Sequence, residues 1–344
     1  MKKVRLGIIG AGRIGRIHAA SVSDPSVPAT VVAITDLNHA SAKEVAGRLG
    51  VAKVTGSAEE ILDDREIDAV LICSSTDTHS DLICKAARAR KHIFCEKPID
   101  YDLSRIDRAL DAVDRAGVKL QIGFNRRFDP NFARVRKAVS TGEIGTPRIM
   151  HIVSRDPAPP PISYIKVSGG MFFDMTIHDF DMARFLIQDE VEEIYAVAGN
   201  LVDPEIGRLG DVDTAVITLR FRSGVIGTID NSRQAAYGYD QRVEILGSKG
   251  SISTSNMFPN QATISTGSEI RRDLPLNFFM DRYNESFQRE LRSFVQSLVD
   301  DIPTEVSGYD GRVPVVMGMA AKRSFEEGRP VKLQELAVKH APEA

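Results

Sequence analysis

The run Val4-Arg5-Leu6-Gly7-Ile8-Ile9, continued at once by Gly10-Ala11-Gly12-Arg13-Ile14-Gly15, constrains this chain more than any other feature. An apolar strand that turns through GxGxxG into a helical stretch, here Ile14 to Val22, has few folds open to it. The glycines permit a tight turn, close approach of a diphosphate and packing of helix on strand. The first amides of the helix then face an anion.

The chain keeps that rhythm through residue 123. Strand runs at 31–35, 69–73, 92–95 and 119–123 alternate with helical patterns at 40–49, 81–89 and 103–116. Alternation of this kind calls for a parallel, doubly wound sheet, with ligands beyond the carboxyl ends of its strands. Past Phe124 the pattern changes. Alternating runs at 148–154, 193–198, 215–221, 225–231, 243–246 and 262–266 succeed one another with glycine-rich turns between several of them, which predicts a largely antiparallel sheet. An amphipathic helix is expected at 175–186 and a long helix at 280–299. The chain therefore reads as an α/β Rossmann domain over 1–123 and an α+β domain with an open sheet over 124–344.

At 344 residues the chain is too long for one core, and a net charge of −3 offers nothing to nucleic acid or an anionic membrane. Cys73, Cys84 and Cys95 form no CxxC and suggest free thiols in a reducing compartment. Met1-Lys2-Lys3 leads straight into the first strand run, so no signal segment is expected, and no apolar run is long enough to span a membrane. These features point to the cytoplasm.

Chemistry-bearing residues gather at the predicted strand ends. Asp36 stands about twenty residues beyond the glycines. It is placed either to bind an adenosine ribose or to cap the helix near Ala40. A carboxylate there repels a 2′-phosphate, and Leu37 beside it offers no positive charge, so NAD is expected rather than NADP. The hydroxyls of Ser74, Ser75 and Thr76 can line the cofactor or cap a helix, and His79 suits a structural place at a helix start. Glu96-Lys97-Pro98 closes the fourth run and puts an amine at the sheet edge, Pro98 holding the approach extended. Asp174 and His178 are four apart, so in a helix they share a face. The pair can serve as an oriented general base or as a plain structural couple. No further His or Cys completes a metal ligand set, and no metal is expected.

GAGRIG, Glu96-Lys97-Pro98 and the segment from Gly169-Gly170 to Asp174, His178 and Asp179 together resemble the glucose–fructose oxidoreductase/inositol dehydrogenase (Gfo/Idh/MocA) family, over essentially the whole chain. The runs Gly123 to Asp129, Ser154 to Pro157, Tyr164 to Lys166 and Tyr237 to Asp240 resemble those members that act on inositol. The resemblance implies NAD-dependent oxidation of myo-inositol to scyllo-inosose, with scyllo-inositol or an aldose as the alternative substrate. It implies a catalytic trio of Lys97, Asp174 and His178. His178 would take the hydroxyl proton, Asp174 would orient it and help relay the proton, and Lys97 would hydrogen-bond the reacting oxygen. The cofactor would lie against Gly10, Ala11, Gly12, Arg13, Ile14, Gly15, Asp36, Ser74, Ser75, Thr76, His79, Glu96 and Lys97, with Glu96 at the nicotinamide ribose. The polyol would meet Lys97, Arg127, Asp156, Asp174, His178 and Tyr237, with Tyr239 as a rival to Tyr237. The open sheet face would make a homotetramer. Where many members carry Thr-Pro, this chain has Ser74-Ser75, which keeps the hydroxyl and loses the rigid ring.

Overall fold

The computed structural model describes residues 3–336. Met1 and Lys2, read above as carrying no signal segment, and the last eight positions lie outside them. The chain divides into two compact units, Met1–Phe128 with Glu285–Val315, and Asp129–Asn284 with Val316–Ala344.

The first unit carries β1 (Val4–Ile9), β2 (Ala29–Thr35), β3 (Lys53–Val54), β4 (Ala69–Ile72), β5 (His92–Glu96) and β6 (Leu120–Gly123). They form one sheet in the order β3-β2-β1-β4-β5-β6, and every pair is parallel. Strand order reverses between β2 and β4 around β1, which is where such a sheet opens its ligand crevice. Leu6, Ile8, Ile34, Leu71, Phe94 and Ile122 are fully buried because helices cover both faces. Those helices are α1 (Arg13–Val22), α2 (His39–Leu49), α3 (Ala58–Leu62), α4 (Thr76–Arg88) and α5 (Leu103–Ala116). α5 shows how local sequence sets their bounds. The Asp102 carboxylate accepts from the amides of Ser104 and Arg105 at its start, Ile106, Ala109 and Val113 form its buried stripe, and Gly117 at φ +63° ends it.

The second unit carries α6 (Pro130–Ser140), β7 (Pro147–Arg155), α7 (Ile162–Ile165), α8 (Met171–Asp174), α9 (Thr176–Ile187), β8 (Val191–Gly199), α10 (Pro204–Arg208), β9 (Thr214–Phe221), β10 (Ile226–Ser232), β11 (Asp240–Gly247) and β12 (Ser251–Ser253). Beyond these lie a separate hairpin, β13 (Thr263–Ser265) and β14 (Ile270–Arg272), then α11 (Phe279–Val299), α12 (Gly308–Glu327) and β15 (Val331–Lys332). The main sheet runs β12-β11-β7-β10-β9-β8-β15 and is antiparallel except for β7 with β10. Met150, Ile152, Ile217, Leu219, Ile229 and Ile245 face the core, whereas Ile149, Val197, Val216, Ile226 and Leu246 are exposed on alternate positions.

Three expectations need correction. The single cut after 123 fails because residues 285–315 return to the first unit, where Leu291, Phe294 and Val295 of α11 share a core with Leu6 and Ile8. The run 262–266 does not join the main sheet, since its strand pairs only within the exposed hairpin. The 175–186 helix is not amphipathic. Every residue of α9 except His178 is buried. α12 had no counterpart among the expected elements, and Gly308, Gly311, Pro314 and Gly318 are all poor helix formers. Burial of Val315, Met317, Ala320 and Ala321 overrides that propensity.

Candidate active site

In the first unit the glycine turn is built from main chain. Gly10 adopts φ +104°, and a Cβ there would lie 2.5 Å from the Cys73 carbonyl. A Cβ on Gly15 would lie 2.0 Å from the Gly10 oxygen, so only glycine lets α1 dock on β1. At Gly12, the residue capping α1, an added Cβ would meet nothing within 4 Å. That open space at a helix start fits a diphosphate, and no side chain fills it. Arg13 and Ile14 begin α1 beside it.

Asp36 comes directly after β2, and its carboxylate accepts from the amide of Ala11 at 2.6 Å and that of Asn38 at 2.6 Å. The choice left open for it is settled against helix capping, because Asn38 caps α2 through the Ala40 amide. The carboxylate thus ties the glycine turn to the end of β2 and keeps further lone pairs for ribose hydroxyls.

Ser74, Ser75 and Thr76 form the turn into α4. Ser74 Oγ and Thr78 Oγ1 lie 2.6 Å apart, and Ser75 occupies the cap position without a side-chain cap bond. His79 is drawn inward and is 1% exposed. Its Nδ1 lies 2.8 Å from the Pro98 carbonyl oxygen and its Nε2 lies 3.0 Å from that of Ser74. The ring therefore joins two loops, the structural place that its residue type suited at a helix start. Glu96 is buried, with Oε1 2.6 Å from Nε2 of the buried His18, and Gly123 leaves room for its carboxylate. His18 packs edge-on to Phe94 and Phe287, at 4.7 and 5.7 Å between ring centres. Half-buried Lys97 lies just past β5, in a loop stiffened by Asp100, which accepts from Ser80 Oγ and from the amides of Tyr101 and Asp102. Arg127 is pinned by Asp310 at 3.0 Å. Burial, reinforced by the Glu96 charge, pushes the Cys73 and Cys95 thiols well above their usual range.

In the second unit the site is built from side chains. Gly169 and Gly170, at φ +82° and +87°, turn the chain into α8. A Cβ on Gly170 would lie 2.8 Å from Asp211 Oδ1. α8 ends at Asp174, Met175 interrupts, and α9 begins at Thr176. Asp174 and His178 thus sit in two helical pieces rather than one. The Asp174 carboxylate accepts from the Tyr164 hydroxyl at 2.7 Å and faces the Arg233 guanidinium at 3.4 Å. The turn bearing His178 is fastened to the sheet by buried Asn231, which accepts from Thr176 Oγ1 and donates to Asp179 Oδ2.

Asp156 directly follows β7, and Tyr237 lies between β10 and β11. The Asp156 amide donates to the Ser232 carbonyl, and its own carbonyl accepts from the Ala235 amide. The Tyr237 hydroxyl donates to Asp240 at 2.5 Å and accepts from Arg155 at 3.1 Å. Burial and the Asp240 carboxylate push its phenol up, so it stays a donor. Burial would raise the Asp240 carboxyl, but hydrogen bonds from Arg242, Tyr237 and Asn256 bring it below its usual range. Of the rival tyrosines, Tyr239 is buried against Tyr283 and Tyr237 is 39% exposed, so Tyr237 is the accessible one.

Reading the sequence missed His18, Asp211, Asn231, Arg233 and Asp310. One signal was available. Ile229, Asn231 and Arg233 share the core-facing parity of β10, and a polar residue at such a position needs a buried partner. Among the described residues, no group of three or more His, Cys, Asp or Glu is arranged to hold a metal ion, and no helix is long and apolar enough to cross a membrane.

Residues 4–124 match the oxidoreductase family with an NAD-binding Rossmann fold, and residues 132–253 match the GFO/IDH/MocA C-terminal domain. The chain is 49% identical over 333 residues to the myo-inositol 2-dehydrogenase of Thermotoga maritima, covering 97% of this chain and 99% of that one. It is 47% identical over 330 residues to the inositol 2-dehydrogenase of Rhizobium meliloti, covering 96% and 99%. The crystal structure of a probable dehydrogenase from Thermotoga maritima superposes with a TM-score of 0.95 at 48% identity, covering 97% of this chain and 100% of that one.

Proposed function

Because the chain belongs to the Gfo/Idh/MocA oxidoreductase family and binds NAD through its first unit, we propose that it oxidises myo-inositol to scyllo-inosose. The observation that carries this reading is in α9. Of twelve residues His178 alone escapes burial, and the Asp174 carboxylate that precedes it is fixed from two sides. A helix buried all round needs no imidazole at its one accessible position for stability, whereas a general base needs a route to substrate.

His178 removes the proton from a ring hydroxyl. The Lys97 ammonium hydrogen-bonds that oxygen as negative charge grows on it. Bound NAD supplies the acceptor for the hydride that leaves the same carbon. Gly10, Ala11, Gly12, Arg13, Ile14 and Gly15 hold its diphosphate, Asp36 its adenosine ribose, and Ser74, Ser75, Thr76, Glu96 and Lys97 its nicotinamide side. Arg127, Asp156 and Tyr237 distinguish the polyol from its epimers by offering donors and acceptors together. The reading requires Lys97 and His178 to act on one alcohol. It also calls for an NAD-containing, reducing setting, the cytoplasm.

The test is a panel of myo-inositol, scyllo-inositol and aldoses with NAD and with NADP, monitored by absorbance of the reduced cofactor. The highest kcat/KM should fall to myo-inositol with NAD. Preference for an aldose, or for NADP, overturns the assignment. We further propose a homotetramer assembled on the outer face of the β7–β12 sheet, where Ile149, Val197, Val216, Ile226 and Leu246 lie exposed. Light scattering that gives the monomer mass of 37.7 kDa would refute it.

A further inference from the structure

Arg233, one residue past β10, is among the largest fully buried side chains, at 1% exposure. Two carboxylates stand near its guanidinium. Nη1 lies 3.4 Å from Asp174 Oδ2, and Nη2 lies 3.8 Å from Asp211 Oδ2. Among the described residues Nε and Nη2 have no hydrogen-bond partner, and neither has Asp211 Oδ2. The second oxygen of Asp211 accepts from the Met171 amide at 2.9 Å, at the start of the short helix that ends in Asp174. A guanidinium keeps its proton in proteins, and a buried charge demands compensation. The direct hydrogen bond among these contacts is the one to Asp174.

We infer that Arg233 is a positioning residue for the reaction: held between Asp211 and Asp174, it fixes the Asp174 carboxylate in the place from which it orients His178. This rests on the reading of His178 as the base. The alcohol O–H bond breaks, a new N–H bond forms on His178, and the hydride leaves the same carbon for NAD. The proton does not move on to Asp174. A neutral Asp174 would leave Arg233 facing only Asp211, beyond hydrogen-bond reach. The expected proton relay through Asp174 is thereby replaced by electrostatic orientation.

The test begins with wild-type enzyme, NAD and myo-inositol. Absence of turnover there would sink the functional reading and leave Arg233 unaddressed, so the two failures are separate. Given wild-type turnover, Arg233→Met should lower kcat about 100-fold through misplacement of the base. The Kd for NAD should stay within about twofold, since Arg233 belongs to the other unit. The isotope effect on kcat with myo-inositol deuterated at the reacting carbon should rise, and Arg233→Lys should recover part of the loss. A merely structural arginine would lower the Tm and the amount of active enzyme while leaving KM and the isotope effect unmoved. That outcome, or folded Arg233→Met with wild-type kcat, overturns the inference. Should Arg233→Met fail to fold, Arg233→Lys and the charge-balanced Arg233→Met/Asp211→Asn carry the same readouts.

Discussion

The two units hold charge in different ways. Around the glycine turn of the first, main chain holds the charge. Glycines clear a space at the start of α1, and the carboxylate beside them, Asp36, is fastened by two backbone amides. In the second, side chains hold side chains, as Tyr164 and Arg233 fix Asp174 and Asn231 anchors the turn of His178. A site made of amides tolerates little change in backbone shape but does not depend on distant residues. A site made of buried side chains depends on every polar partner, because each one removed leaves another unsatisfied.

Substitutions can break or sharpen this contrast. The largest effect expected is on chemistry. Lys97→Ala should lower kcat on the order of 10³-fold, the scale for losing one donor to a developing oxyanion, with a far smaller loss of NAD affinity. Full activity in that variant would remove Lys97 from the mechanism. Next comes Gly15→Ala, whose new Cβ meets the Gly10 oxygen at 2.0 Å. Overpacking of this kind costs about 3 kcal/mol, so the Tm should fall and NAD affinity with it. An unshifted melting curve would show that the turn is not packed as described. Asp36→Ala should narrow the preference for NAD over NADP by about tenfold, on the scale of one lost polar contact. If wild type already uses both cofactors equally, the role given to Asp36 fails.

A smaller effect concerns acid. The Asp240 carboxyl sits below its usual range in the folded protein, so its contribution to stability is complete above the unfolded value near 3.8. It is lost as pH falls through the lowered folded value. Asp240→Asn should therefore flatten the acid side of a denaturation curve taken against pH, and an unchanged acid limb would contradict the hydrogen-bonded arrangement. Smallest of all, iodoacetamide should leave native protein unlabelled, because Cys73, Cys84 and Cys95 are buried and burial suppresses the Cys73 and Cys95 thiolates. Rapid labelling at neutral pH would show the cores of β4 and β5 to be open.

Legibility in the sequence divided along the same line. The glycine turn, Asp36 and the strand ends at Ser74 and Glu96 were readable because local spacing dictates them. The contacts of His79 were not readable, because periodicity cannot say which way a ring at a helix start will turn, and two carbonyls from separate loops decide it. Asn231 and Arg233 left only the faint mark of polar residues at core parity. Asp211 left none, since the arginine it faces lies 22 residues away in sequence, and Asp310 showed only a local bond to Ser307 and no sign of Arg127.

From its sequence alone the chain was committed to a parallel nucleotide-binding sheet and to a second, mostly antiparallel one, since hydrophobic period and glycine placement act over a few residues. Tertiary structure alone decided that residues 285–315 return to the first unit, that α9 is buried all round apart from His178, and which buried cation faces Asp174. Charge compensation and close packing in an interior of low dielectric join residues that are remote along the chain, and no local pattern records those pairings.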